Sequence, residues 1–269
     1  MTDPADIPVV ILCGGLGTRL REVTERVPKP LVDIGGRPIL WHIMKLYGAH
    51  GFRRFVLCLG YRSWDIKEYF LRYRENLSDF TVRLAGEHRP MFHNNLGNED
   101  WEITLAETGV HTGTGGRIAR VAQYLDAPTF MLTYGDGIGA IDLTALLAYH
   151  RSHGAIGTVT GVHPSSRYGE MSVVDGVVDE FNEKPNLSEG FVSGGFFAFQ
   201  REFLDYLTPD VGLFLEAKPL GKLAQDRELR VFPHDGFWMG MDTFREYTEL
   251  NERWDRNDAP WKVWDDDEA

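Results

Sequence analysis

A chain of 269 residues can bury a substantial core, as one large α/β domain or two small ones. Its formal charge of −12 excludes a general nucleic-acid binder, which needs a basic surface to neutralise phosphates; an anionic ligand here must be met by a local cluster of Arg and Lys. The longest apolar runs, such as 8–13 and 196–199, are far too short to cross a bilayer. The acidic start Asp3-Pro4-Ala5-Asp6 also lacks the basic and apolar profile of a signal peptide, so a cytoplasmic protein with no membrane partner is expected. The two cysteines, Cys13 and Cys58, sit inside apolar runs and read as buried free thiols.

In chain order, residues 8–13 form an unbroken apolar run rich in β-branched residues, which predicts a strand buried on both faces. Helical spacing of apolar residues over 39–50 stops at Gly51. A second strand is expected at 55–60, a helix at 64–71, a third strand at 130–134, a helix at 143–153 and a strand at 155–162. This alternation predicts βαβ units: an α/β fold with a doubly wound, mostly parallel mixed sheet. Residues 76–116 read as a loop-rich insertion with short strands at 82–85 and 101–105, a place for nucleotide or subunit contacts. No repeat or linker interrupts 1–269, so a single domain is expected, with 164–269 as a C-terminal subdomain.

Gly14-Gly15-Leu16-Gly17-Thr18-Arg19-Leu20 follows directly on the first strand. Strand carboxyl ends are where such sheets bind ligands, and glycines without Cβ atoms let backbone N–H groups close on phosphate oxygens. A dinucleotide fingerprint would need a third glycine where Leu20 stands, and no ATPase-type P-loop is present. Pro28-Lys29-Pro30 holds one ammonium between two stiff residues, which suits charge developing at phosphorus. Asp136, between Gly135 and Gly137 at a strand end, and Asp242 in Met241-Asp242-Thr243 are candidate carboxylates for Mg²⁺, a cation that takes few protein ligands and leaves positions for phosphate and water. Glu183-Lys184, Ser193-Gly194-Gly195 and Gly115-Gly116-Arg117 complete the candidates. No zinc spacing and no nucleophile elbow is present. Cations, glycines and two carboxylates without a covalent nucleophile point to direct in-line displacement at phosphorus.

The glycine loop followed by Pro28-Lys29-Pro30 resembles the signature of the sugar nucleotidylyltransferases, and supporting stretches such as Gly60-Tyr61 and Ala259-Pro260-Trp261-Lys262 run nearly end to end. The resemblance implies a Rossmann-like, glycosyltransferase-A-like nucleotidyltransferase fold, and it is greatest to members that take CTP and glucose 1-phosphate with Mg²⁺. It further implies that Gly14, Gly15, Gly17, Thr18, Arg117 and Gly135 hold the nucleotide. Arg19 and Lys29 would be catalytic, Asp136 and Asp242 would bind the metal, and Glu183, Lys184, Ser193 and Gly195 would hold the sugar phosphate. A homo-oligomer, trimer or hexamer, is implied as well. Three departures fall on the sugar side: Ser193 where Asn is expected, Lys218 where Glu is expected, and Ser165-Ser166 before Arg167. Open alternatives are another sugar 1-phosphate, UTP or dTTP in place of CTP, a non-catalytic nucleotide-sugar-binding subunit, and an NAD(P)-dependent oxidoreductase.

Overall fold

A computed structural model describes residues 2–15, 17, 20, 24, 27–85, 89–94, 99–163 and 190–264, with the backbone of 170–174 and 177–182. Strand β1 (Pro8–Leu12) lies at the middle of the fold because Val9, Val10 and Ile11 are each 0% exposed, which only a strand covered on both faces achieves. It pairs in parallel with β4 (Arg54–Leu59) on one side and β8 (Thr129–Tyr134) on the other. Beyond β4 the sheet ends at β7 (Glu102–Glu107). Beyond β8 come β13 (Val192–Gln200), β10 (Gly157–Val162) and β14 (Leu229–His234). Only β13 runs against the others, so the seven-stranded sheet is mixed and mostly parallel, as the alternating pattern predicts. The C-terminal part of the chain shares this sheet through β13 and β14.

Period-two alternation divides the core between the faces. Val9, Ile11, Leu57 and Met131 point to one side, where helix α1 (Ile39–Ala49) is buried almost all round. Helices α5 (Leu143–His153) and α7 (Phe244–Asp255) cover the same side. Val10, Leu12, Val56 and Leu132 point to the other, under α4 (Thr114–Val121) and the short α6 (Pro219–Gln225). Cys13 and Cys58 fall in opposite clusters although the Cys13 N–H donates to the Cys58 carbonyl at 3.1 Å; both are buried free thiols, as expected, and burial pushes the Cys58 thiol up to about 12.

Two expectations need correction. Residues 102–107 do not belong to an insertion; they pair residue for residue with β4 as the sheet's edge, because Ile103 and Leu105 find the core that the polar residues around them obscure in sequence. Residues 82–85 are not a strand: they join no ladder and Leu84 is 87% exposed. The pairing falls just before, β5 (Phe80–Thr81) on β6 (Met91–Phe92), where the Phe80 and Phe92 rings meet at 5.7 Å and Arg74 lies 4.1 Å over Phe92. Among the described residues, no helix is long and apolar enough to cross a membrane.

Two buried histidines make this packing pH-sensitive. His42 on α1 is fully buried; its Nε2 lies 2.8 Å from the Ile34 carbonyl, and its Nδ1 accepts from the Trp261 indole at 3.4 Å, which fixes the neutral tautomer. Burial, aided by nearby Arg37, lowers its pKa to about 4, and burial with His153 and Arg151 lowers that of His150 to about 4. A histidine depressed in the folded state contributes full stability above its unfolded pKa near 6.5 and loses it as pH falls toward 4. The unfolding free energy should therefore fall by about 1.4 kcal/mol per pH unit per histidine across that window. Denaturant melts from pH 7 to pH 4 should show a shallower decline for His42→Gln than for the wild type; equal slopes would show that His42 is not held neutral.

Candidate active site

The carboxyl ends of β1 and β8 open into a cavity of about 470 Å³. Gly14, Gly15 and Gly17 form one wall, directly after β1. Gly17 has φ +63°, a left-handed conformation in which a Cβ would also meet the Thr24 side chain at 3.2 Å, so glycine is required there. The absent Cβ atoms of Gly14 and Gly60 make room for one side chain: a Cβ on Gly14 would sit 2.0 Å from an Arg117 guanidinium nitrogen, and on Gly60 2.6 Å. Arg117, 4% exposed, donates to the carbonyls of Leu59 (3.0 Å), Gly14 (3.0 Å) and Val110 (3.2 Å) and to the Thr108 hydroxyl (2.7 Å). Its acceptors are all uncharged. Burial lowers its pKa from the usual value, and its charge faces the cavity it lines. Arg117 thus braces the glycine loop from beneath.

On the opposite wall, Lys29 Nζ bridges Asp136 Oδ2 at 2.6 Å and Asp242 Oδ1 at 2.8 Å. Burial opposes the lysine's charge, yet Asp136 and then Asp242 outweigh it, so its pKa stands above the ordinary value and the ammonium persists across the physiological range. Lys29 opens a 3-10 turn (Lys29–Leu31) between two prolines and is 11% exposed, whereas the two carboxylates are 39% and 38% exposed toward the cavity.

Asp136 and Asp242 meet because of a three-residue ribbon. Strand β9 (Gly137–Gly139) pairs antiparallel with β15 (Trp238–Gly240), Gly137 opposite Gly240. Extending that register by one places Asp136 opposite Met241, whose N–H donates to the Asp136 carbonyl at 2.8 Å, and the next residue is Asp242. Glu246 then fixes Asp242. Its carboxylate accepts from the backbone N–H groups of Asp242 (2.7 Å) and Thr243 (2.8 Å), while the Thr243 hydroxyl accepts from the Glu246 N–H at 3.3 Å. That is a capping box at the start of α7, and the Thr-x-x-Glu spacing at 243–246 is the sequence signal for it, one that the search for ligands alone passes over.

The expected residues thus divide. Gly14, Gly15, Gly17, Lys29, Arg117, Gly135, Asp136 and Asp242 all line the cavity. Gly195 does not line it but packs, with φ +77° and a Cβ position 2.5 Å from the ring, against Tyr134, which does; Ser193 is exposed on β13 and does not line the cavity. Thr18, Arg19, Glu183 and Lys184, together with Ser165, Ser166 and Arg167, lie outside the described residues. Two carboxylates within reach of one ammonium, and open to a cavity, fit Mg²⁺: they supply hard oxygen donors on one side and leave the rest to phosphate and water. Among the described residues no group of three His, Cys, Asp or Glu could hold a metal without such further ligands.

Known proteins are similar to this chain along most of its length. Two relatives, the glucose-1-phosphate cytidylyltransferases of Salmonella typhi and of Salmonella typhimurium (strain LT2), are each 44% identical over 257 residues, covering 95% of this chain and 99% of theirs. The inositol-1-phosphate CTP transferase structure from T. maritima superposes with a TM-score of 0.65 at 17% identity, covering 97% of this chain and 98% of that one, a likeness of fold alone. The nucleotidyl transferase family profile matches residues 8–255, which takes in the glycine loop, Lys29 and both carboxylates; this chain belongs to that family, as a sugar nucleotidylyltransferase.

Proposed function

We propose that this protein is a glucose-1-phosphate cytidylyltransferase: it transfers CMP from CTP to α-D-glucose 1-phosphate and releases pyrophosphate. The observation that carries the chemistry is the Lys29–Asp136–Asp242 constellation facing a glycine loop braced by a buried arginine. The 44% identity to the Salmonella cytidylyltransferases supports the choice of CTP and glucose 1-phosphate.

In this reading the loop N–H groups of Gly14, Gly15 and Gly17 receive the nucleotide, with Thr18 beside them. The positive charge of Arg117 beneath the loop favours the triphosphate. An oxygen of the sugar phosphate attacks the α-phosphorus; the new P–O bond forms as the bond to the β-phosphate oxygen breaks, and no enzyme nucleophile is used. Lys29, and Arg19 by the family resemblance, neutralise charge on the equatorial oxygens and the leaving pyrophosphate. Asp136 and Asp242 would hold Mg²⁺, which when bound screens the negative charge of the phosphates so that an anionic nucleophile can approach. Glu183, Lys184, Ser193 and Gly195 are assigned to the sugar phosphate, and a homo-oligomer acting in the cytoplasm completes the proposal.

The test is pyrophosphate release with Mg²⁺ across four nucleoside triphosphates crossed with a panel of sugar 1-phosphates. CTP with glucose 1-phosphate should be the preferred pair. Release with CTP and a different sugar only would reassign the acceptor and mark Ser193 and Lys218 as residues of a changed pocket. No release with any pair would sink the enzymatic reading.

A further inference from the structure

The cavity has two unlike ends. Lys29, Asp136 and Asp242 make one charged; Val110, beside Arg117, and Phe214, beside Gly113, give the other an apolar lining. If the site holds a nucleoside triphosphate, as proposed above, polarity puts the phosphates at the first end and the base at the second.

The wall at the base end is irregular chain, residues 209–216, laid across the start of α4. Backbone bonds pin it there: Gly113 N–H donates to the Val211 carbonyl at 2.7 Å, and Gly116 N–H to that of Leu213 at 3.1 Å. Both glycines are obligatory, since a Cβ on Gly113 would come within 2.4 Å of the Leu213 oxygen and one on Gly116 within 2.3 Å of the Asp210 oxygen. At the end of the segment stands Glu216. One carboxylate oxygen accepts from the Tyr134 hydroxyl, and the other accepts from the Thr114 hydroxyl at 2.8 Å. Thr114 Oγ1 in turn accepts from the Leu215 N–H at 2.8 Å. The Tyr134 ring is seated in the space left by Gly195, so one carboxylate joins the central strand β8, the helix start and the wall. Phe214, carried between these anchors, lines the cavity while 54% exposed.

We propose that Glu216 is a positioning residue for nucleotide binding: through Tyr134 and Thr114 it clasps segment 209–216 shut as the base-side wall and holds Phe214 as an apolar face against the base. A carboxylate suits this place because both hydroxyls point protons at it, and charge-assisted bonds are the stronger kind. The hydrogen bonds of Glu216 run to Tyr134 and Thr114 and not to Lys29, Asp136 or Asp242, so its loss acts on affinity more than on chemistry.

Calorimetric titration of CTP with Mg²⁺ and without sugar phosphate, beside steady-state kinetics, tests this on the wild type and on Glu216→Ala, Glu216→Gln and Tyr134→Phe. Glu216→Ala should weaken CTP binding by about 10- to 100-fold, as expected for losing two hydrogen bonds to a charged group. Its kcat at saturating CTP should stay within about threefold, the pattern of lost uniform binding. Glu216→Gln, whose amide can accept from one hydroxyl and donate to the other, should recover most of the affinity. Tyr134→Phe keeps the ring and serves if Glu216→Ala folds poorly; it should weaken CTP by about 3- to 10-fold, and the double variant should lose less than the sum of the two. Hydrogen exchange at the Leu215 amide should quicken in Glu216→Ala. The proposal is overturned if Glu216→Ala binds CTP like the wild type, or loses kcat at unchanged affinity. In either case a wild type that turns over CTP leaves the enzymatic reading standing, whereas a wild type that binds none of the four triphosphates removes both.

Discussion

Asp136→Asn and Asp242→Asn are each expected to lower kcat by about 10³-fold or more, and Lys29→Met by about 10²- to 10³-fold, with the protein still folded. The three groups form one electrostatic unit, an ammonium 2.6 Å and 2.8 Å from two carboxylates, and the proposed direct displacement has no covalent intermediate to share the work. Removing a carboxylate takes away a hard donor that the metal would share with the triphosphate. Removing the lysine takes away a fixed cation at the phosphates and leaves two carboxylates facing each other. That second effect has its own signature: Lys29→Met should melt lower than the wild type without Mg²⁺ and gain more Tm than the wild type when Mg²⁺ is added, because the cation relieves the repulsion. Single-turnover measurements at saturating CTP separate chemistry from binding. Near-normal rates in any one variant would take that residue out of the reaction.

Arg117→Met should be the most destabilising single change in the site, by about 3–4 kcal/mol, because it strands three carbonyls and a hydroxyl beneath the glycine loop. For a chain of this size that corresponds to a fall in Tm of roughly 10 °C. Arg117→Lys should not rescue it, since one ammonium cannot reach the four acceptors that the planar guanidinium spans. Filling the space from the other side, with Gly14→Ala or Gly60→Ala, should act in the same direction, as either Cβ would collide with the guanidinium. Urea melts with and without CTP check both claims. A stable Arg117→Met protein with intact CTP affinity would show that the loop keeps its shape unaided.

The central strands were legible because Val9 to Ile11 and Phe130 to Leu132 carry unbroken apolar runs that only double burial explains. The edge strand β7 was legible as a short strand at 101–105 but not as part of the central sheet, since Glu102, Thr104 and Glu107 dilute its apolar signal. Lys29 and Asp136 were recognisable from their stiff and glycine-flanked settings and Asp242 from its apolar neighbours, but their convergence was not, because it depends on the register of β9 against β15. Glu216 gave no local sign at all. Its partners, Tyr134 and Thr114, lie 82 and 102 residues away, and a glutamate in an exposed loop reads as ordinary surface until the fold brings those hydroxyls to it.

The ribbon that joins Asp136 to Asp242 also sets when the enzyme can become active. During synthesis, Gly137–Gly139 leaves the ribosome roughly 100 residues before its partner Trp238–Gly240, a delay of about 5–20 s at ordinary elongation rates. Through that interval the nascent chain has its first strands and glycine loop but only one of the two carboxylates that meet Lys29. Competence for phosphoryl chemistry therefore arrives late in translation, when the capping box at Thr243 and Glu246 locks the second carboxylate in place.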